Sequence, residues 1–166
     1  YPKNWYITRV NADFGISNPH GISQIFDDAF VFNTEGSITS VSAAFQFGNI
    51  KSADVLNSIK SERYFRQEVS GFGSSSVYGL YYPEKKTVFF SFRSKSSQYQ
   101  NRIMVMDMFG SNAQITLNDK DQPNALGLIK DVYKISRPAY CSNDGNIYLL
   151  DSANREVNGS SYNFRS

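Results

Sequence analysis

Few residues in this chain have the types and spacing that catalysis or metal binding needs. Asp27-Asp28 is an adjacent carboxylate pair of the kind that could share acid and base work. Neighbouring residues of an extended strand point to opposite faces, so the two do not converge by themselves, and solvated or turn-capping roles are expected. Asn118-Asp119-Lys120-Asp121 has a D-x-D spacing that could hold calcium. Pro123 and Lys130 stand near where a helix-loop-helix calcium loop needs its Gly and Glu, so a polar turn is expected instead. His20 is the only histidine and Cys141 the only cysteine, which suggests neither a zinc set nor a Cys–His nucleophile. His20, in an Asn-Pro-His-Gly turn, reads as a loop residue. Cys141, inside the strand-like run Pro138 to Ser142, reads as a small buried hydrophobe. Glycoside cleavage would need two carboxylates about 5–10 Å apart in one pocket. Asp27, Asp28, Glu62 and Asp107 show no marked pairing. No catalytic, cofactor-binding or metal-ligating residue is assigned, and the chain reads as non-enzymatic and free of cofactors.

Two further motifs have structural readings. Ser142-Asn-Asp-Gly145 departs from the aspartate box of sialidase-like propellers, S-x-D-x-G-x-T-W, because Asp144 abuts Gly145 and no Trp follows. A hairpin turn is expected there. Asn158-Gly-Ser160 fits the glycosylation sequon, a triplet that chance supplies in an Asn- and Ser-rich chain. The aromatic residues could line a sugar-binding cleft, but core packing accounts for most of them.

The bulk properties agree with a self-sufficient fold. The 166 residues suit one domain, read as 1–166, and a chain this long buries roughly 70% of its unfolded surface. Thirteen Phe, eleven Tyr and one Trp supply its core. The net charge of +2 and a longest basic run of only Lys85-Lys86 argue against stable nucleic-acid binding, though not against transient passage of DNA. A single cysteine forms no internal disulfide, and no apolar run approaches the roughly 20 residues of a membrane-spanning helix. The chain opens on Tyr1 without a signal-peptide pattern, which reads as a processed product or an internal piece of a longer polypeptide.

The elements are organised around Val77 to Met108. Val77 to Tyr82 and Thr87 to Phe92 are β-branched and aromatic, and Pro83-Glu-Lys-Lys86 breaks them as a hairpin loop should. A polar loop, Ser94 to Asn101, leads to a third strand, Arg102 to Met108. By parity, Val88, Phe90 and Phe92 share one face, and Phe89, Ser91 and Arg93 the other. Met104, Met106 and Met108 oppose Ile103 and Val105 in the same way. Both faces are apolar over part of their length, so other sheets are expected to cover both.

Around this meander the sequence predicts a strand at Trp5 to Val10, a loop at Asn11 to Ser23, and a strand region at Ile25 to Asn33. A Glu35-Gly36 turn and a returning strand at Ser37 to Ala44 follow. One short helix is expected at Ser52 to Lys60, with Ser52 as N-cap, before a flexible connector at Gly71 to Ser76. Ile115-Thr-Leu117 is a short strand, Leu126 to Ile135 is open between helix and strand, and Asn143-Asp-Gly145 turns a third hairpin. The tail from Asn154 is expected to be irregular. Asn33 to Ser42 can be laid on Ser142 to Asp151, and turns near Gly36, Lys85 and Gly145 recur at roughly 50–60 residues, close to a propeller-blade repeat. The fold class is therefore mainly β: antiparallel meanders arranged as propeller-like blades, with one short helix. About three blades fit the chain, so it is expected to be part of a larger propeller-like subunit.

The order Asp28-Ala-Phe-Val-Phe-Asn-Thr-Glu-Gly-Ser-Ile-Thr-Ser-Val-Ser42, then Ser52-Ala-Asp-Val-Leu-Asn-Ser-Ile59, then Val77-Tyr-Gly-Leu-Tyr-Tyr-Pro83 and Arg102-Ile-Met-Val-Met-Asp107 resembles the tail nozzle, or tail-tubular and DNA-stabilising, proteins of short-tailed bacteriophages. The resemblance covers about residues 25–110, with an echo at 131–152. It implies a structural virion protein in the phage tail, with copies of itself in a ring, other tail or adaptor proteins as neighbours, and DNA only in transit. It carries no enzymatic residues. The alternative is an extracellular, adhesin-like propeller module that stacks Tyr and Trp on glycans.

Overall fold

The computed structural model describes residues 16, 18–26, 28–32, 37–47, 77–108, 114–119, 121–150, 154–157 and 160–163. Among them the chain is mainly β, with four antiparallel sheets and a single short α-helix. The predicted strand at 5–10, the helix at 52–60 and the connector at 71–76 lie outside the described residues.

The central sheet is the aromatic meander. Strands β4 (Tyr78–Tyr82), β5 (Thr87–Phe92), β6 (Arg102–Asp107) and β7 (Gln114–Asn118) pair in sequence order. A 3-10 turn, Pro83–Lys85, joins the first two, and Lys86 closes it in the left-handed region at φ 48°. The expected short strand at 115–117 is the fourth member of this sheet, with Ile115 beside Met106 and Leu117 beside Met104.

Side-chain parity sorts the two faces as the sequence predicts. Val88, Phe90, Phe92, Met104 and Met106 form one face and bury against Ile25, Phe30, Phe32 and Ile38. Phe32 lies fully buried between Phe90 and Phe92, with ring centroids 6.2 and 6.3 Å away. Each such Phe contributes about 1.5–3 kcal/mol. On the other face Tyr82, Phe89 and Ile103 pack with Tyr140, and Leu80, Val105, Leu126, Tyr148 and Leu150 join them. Ser91 interrupts that apolar face, and its buried hydroxyl donates to Gln100 Oε1 at 3.0 Å. The polar loop thereby turns inward at Gln100 and is stitched by Asn101, whose side-chain oxygen accepts from the Ser94 amide at 2.9 Å.

The first sheet departs from the sequence reading in two places. Ile25 to Asn33 is not one strand: β1 (Ile22–Ile25) ends at Phe26, and β2 (Asp28–Phe32) begins two residues later. Phe26 adopts φ 46°, which turns the chain where hydrophobicity alone suggested continuity. The returning strand β3 (Ile38–Ser40) also stops early, and Val41–Phe47 form helix α1. Ser40 is the reason, because its hydroxyl accepts from the Ala43 amide at 3.0 Å in the manner of an N-cap.

The third sheet comprises β8 (Pro123–Lys130), β9 (Ser136–Ser142) and β10 (Ile147–Leu149). The ambiguous run 126–135 is thus strand followed by turn. The tail is not irregular where described: β11 (Asn154–Val157) and β12 (Ser160–Asn163) pair as a hairpin, whose backbone needs no apolar side chains to close its ladder.

Of the proposed repeat, residues 33–36 lie outside the described residues. Laying Asn33 on Ser142 places Ile38 on Ile147, and these residues open the third strands of their sheets. Lys85 is not equivalent, because its turn joins the first and second strands of the central sheet. The corresponding link there is the loop between Phe92 and Arg102.

The sheets meet through their leading strands: β4 lies beside β1 on one side and β8 on the other. At the first junction the Gly79 amide donates to the His20 carbonyl at 2.7 Å. A Cβ on Gly79 would sit 2.9 Å from the Ile22 carbonyl oxygen and 2.9 Å from Phe90 Cε1. Backbone approach this close requires glycine.

Candidate interaction surface

The carboxylates singled out by sequence do not assemble into a reactive centre among the described residues. Asp28 caps the start of α1: it accepts from the Ser40 hydroxyl, from the Ser42 amide at 2.9 Å and from the Ala29 amide at 2.7 Å. Partial burial pushes its carboxyl pKa up, but the hydrogen bonds from Ser40, Ser42 and Ala29 outweigh this and leave it below the ordinary value. This is the capping role expected of it; Asp27 and Glu62 lie outside the described residues. Asp107 ends β6 on the exposed side.

Asp119 and Asp121 separate. Asp119 is exposed, whereas Asp121 is buried, accepting from Tyr140 Oη at 2.8 Å and from Asn118 Nδ2 at 2.6 Å. The D-x-D turn therefore clasps the third sheet rather than presenting two oxygens to a cation. His20 is an exposed turn residue, stacked on Tyr78 at 5.1 Å. Asp144 sits in the expected hairpin turn, with Gly145 at φ 82°. Hydrogen bonds from the Asn146 amide, at 2.9 Å, and the Tyr148 hydroxyl, at 2.8 Å, lower its pKa to about 2. Cys141 corrects the sequence reading: it lies in β9 but is exposed. Tyr140 takes the inward position, and parity turns its neighbour outward. The Asn158 sequon falls mostly outside the described residues.

What the sequence did not single out is the β8–β9 hairpin. Its pairing runs to Lys130↔Ser136, while β10 pairs only with Ala139 to Cys141. The outer rungs form a two-stranded ribbon, and such ribbons are marginal in water by themselves. Leu128 and Ile129, on opposite faces, are both exposed. At the tip Val132 is 90% exposed and Tyr133 79% exposed. Soluble surfaces seldom gather apolar residues in this way without a binding role.

Asp131 fixes the shape of that tip. Its carboxylate accepts from the Tyr133 and Ile135 amides, both at 2.9 Å, and from Arg137 Nε at 2.8 Å. Its carbonyl accepts from the Lys134 amide at 2.9 Å, and Lys134 takes φ 62°. The Arg137 hydrogen bond, reinforced by those amides, holds the Asp131 carboxyl below its usual range. These hydrogen bonds restrain the apolar tip, and pre-ordering of this kind lowers the entropy cost of docking. The available sequence signal was an Asp able to turn the chain, followed by Val-Tyr where loops are normally polar.

Two depressions accompany this surface. One, of about 500 Å³, lies on the first sheet and is lined by Ile22, Gln24, Phe26, Asp28, Ala29, Val41 and Ser42. The other, of about 320 Å³, runs along the central sheet beside Leu150. No helix among the described residues is long and apolar enough to cross a membrane. No protein-family model matches the chain, and no curated protein or solved structure shows significant similarity to it.

Proposed function

We propose that this chain is a non-enzymatic structural building block, a subunit of the tail nozzle of a short-tailed bacteriophage. In this reading its sheets are consecutive propeller-like blades. One observation carries it: three antiparallel meanders pack face to face, and the leading strand of each, β1, β4 and β8, adjoins the next. A blade cannot cover its own two faces, so each needs a neighbour. The outermost blades and the apolar hairpin then call for further protein, which copies in a ring and adjoining tail or adaptor proteins supply. A net charge of only +2 suits a lumen that lets DNA pass without gripping its phosphates. Cryo-electron microscopy and mass photometry of native material test the reading. A ring-shaped particle containing the chain is the expected result, and a stable monomer absent from any particle removes it.

A second reading, an extracellular glycan-binding propeller module, draws on the depression of about 500 Å³ on the first sheet. Phe26 is 70% exposed at its edge and Gln24 also lines it, an aromatic platform beside a polar side chain. A glycan array is the test, and uniform blanks dispose of this alternative.

A further inference from the structure

Of the ten large apolar side chains exposed among the described residues, five fall between residues 128 and 135: Leu128, Ile129, Val132, Tyr133 and Ile135. They do not make one flat patch. Leu128 and Ile129 point to opposite faces of the ribbon, and Val132 and Tyr133 crown its end. A folded partner that covers one flank, as a neighbouring copy would, leaves the other flank and the end in water. A lipid interface has no such limit, because a thin ribbon that enters it is surrounded on every side. Charge points the same way. Across residues 122–143 the cations are Lys130, Lys134 and Arg137, and Asp131 is the only carboxylate. That carboxylate is engaged within the hairpin by Arg137 Nε at 2.8 Å, while Lys130 and Lys134 stay exposed on either side of the Val-Tyr pair. The tip also satisfies its own backbone, as an apolar medium requires: the Tyr133 and Ile135 amides donate to the Asp131 carboxylate and the Lys134 amide to its carbonyl. An apolar end with a tyrosine, flanked by lysines, matches the layers of a membrane surface: acyl chains, the interface that tyrosine favours, and anionic headgroups.

We propose that the β8–β9 tip is an interfacial anchor that inserts into the surface of a lipid bilayer rich in anionic headgroups. Val132 and Tyr133 enter the boundary between headgroups and acyl chains, and Lys130 and Lys134 pair with the lipid phosphates. Insertion of this kind reaches about 5–10 Å, so the tip lies in the membrane surface without spanning it. The ribbon is long enough for this. From its last rung at Ser136 to Cys141, where β10 has joined the sheet, the strand rises about 17 Å, which keeps the rest of the third sheet in water. The anchor does not depend on the ring: each chain carries a complete tip, and a ring would only multiply it.

The test measures flotation of the 166-residue chain with vesicles of phosphatidylcholine alone or of equal parts phosphatidylcholine and phosphatidylserine. The unaltered chain is expected to float with the anionic vesicles and to bind the neutral ones at least about tenfold more weakly. Val132→Ser with Tyr133→Ser should weaken binding to the anionic vesicles at least about tenfold. Lys130→Gln with Lys134→Asn should weaken it about 25-fold, fivefold for each lysine. Asn is chosen because Lys134 holds φ 62°, which Asn tolerates. All four sites are exposed, so thermal unfolding should match the unaltered chain and confirms folding. An environment-sensitive fluorophore on Val132→Cys, in a Cys141→Ser background, should shift to the blue on anionic vesicles, and the same dye on Cys141 of the unaltered chain should not. If the tip variants bind as well as the unaltered chain, or the dye at position 132 stays in water while the chain floats, another surface holds the lipid and the anchor is overturned. Equal binding to both kinds of vesicle overturns the role given to the lysines. If the unaltered chain ignores both, the anchor falls outright and protein is what covers the tip.

Discussion

Gly79→Ala should destabilise the fold at the junction between the first and central sheets. The new Cβ would lie 2.9 Å from the Ile22 carbonyl oxygen and 2.9 Å from Phe90 Cε1, where ordinary contacts are 3.4–4 Å. Neither neighbour yields easily: the first is strand backbone, and Phe90 is fully buried against Phe32. Forcing a methyl into a packed core costs about 1–3 kcal/mol. Moving β1 away also stretches the Gly79–His20 hydrogen bond, now 2.7 Å, whose net worth is about 0.5–1.5 kcal/mol. Against this, replacing glycine reduces the freedom of the unfolded chain and returns about 0.4–1 kcal/mol. The balance is a loss of about 2 kcal/mol, or roughly 4–8 °C in Tm for a chain of this size. Urea denaturation and thermal scans measure it. Gly127→Ala is the matched control, since nothing lies within 4 Å of its Cβ position, and it should raise stability by about 0.4–1 kcal/mol. If Gly79→Ala proves neutral or stabilising, the sheets do not meet backbone to backbone at this point.

Three other outcomes are expected. Tyr140→Phe deprives buried Asp121 of a hydroxyl donor at 2.8 Å and should cost about 1.5–3 kcal/mol in urea unfolding, with no loss of β signal in the far ultraviolet. Hydrogen bonds hold the carboxyl pKa values of Asp28, Asp131 and Asp144 below the ordinary aspartate value, that of Asp144 at about 2. Their contribution is complete above the unfolded value and disappears as pH falls through the folded one, so the unfolding midpoint should drop between about pH 4 and pH 2. Asp144→Asn should make that drop shallower; an unchanged acid profile would mean its turn hydrogen bonds are not held in solution. Cys141, being exposed, should react with one equivalent of a thiol reagent without denaturant, and labelling only after unfolding contradicts its outward placement.

Much of the central sheet was legible from sequence because its chemistry is local. Strand parity separates Phe90 from Phe89 and Met104 from Ile103, and the register that pairs Phe90 with Met104 then places those two in one core and Phe89 and Ile103 in the other. The Pro-Glu-Lys-Lys and Asn-Asp-Gly turns announce themselves because backbone torsions there depend on the residues present. Where the reading failed, a competing hydrogen bond or a distant neighbour made the decision. Ser37 to Ala44 has the β-branched look of a strand, yet the Ser40 cap and the Asp28 carboxylate, twelve residues earlier, convert its second half to helix. Cys141 sits in a strand as predicted, but which parity faces the core depended on where Tyr140 found packing.

The amino-acid order by itself determined that this chain builds antiparallel aromatic meanders with two apolar faces, since alternation and turn chemistry act within a few residues. Only the tertiary structure decided that Gly79 is a point of backbone contact, that Asp121 turns inward, and that the β8–β9 ribbon outruns β10 to leave an apolar tip in water. Those features depend on which strands end beside which. That is settled by burial across the whole molecule, where residues far apart in the chain compete for the same surface.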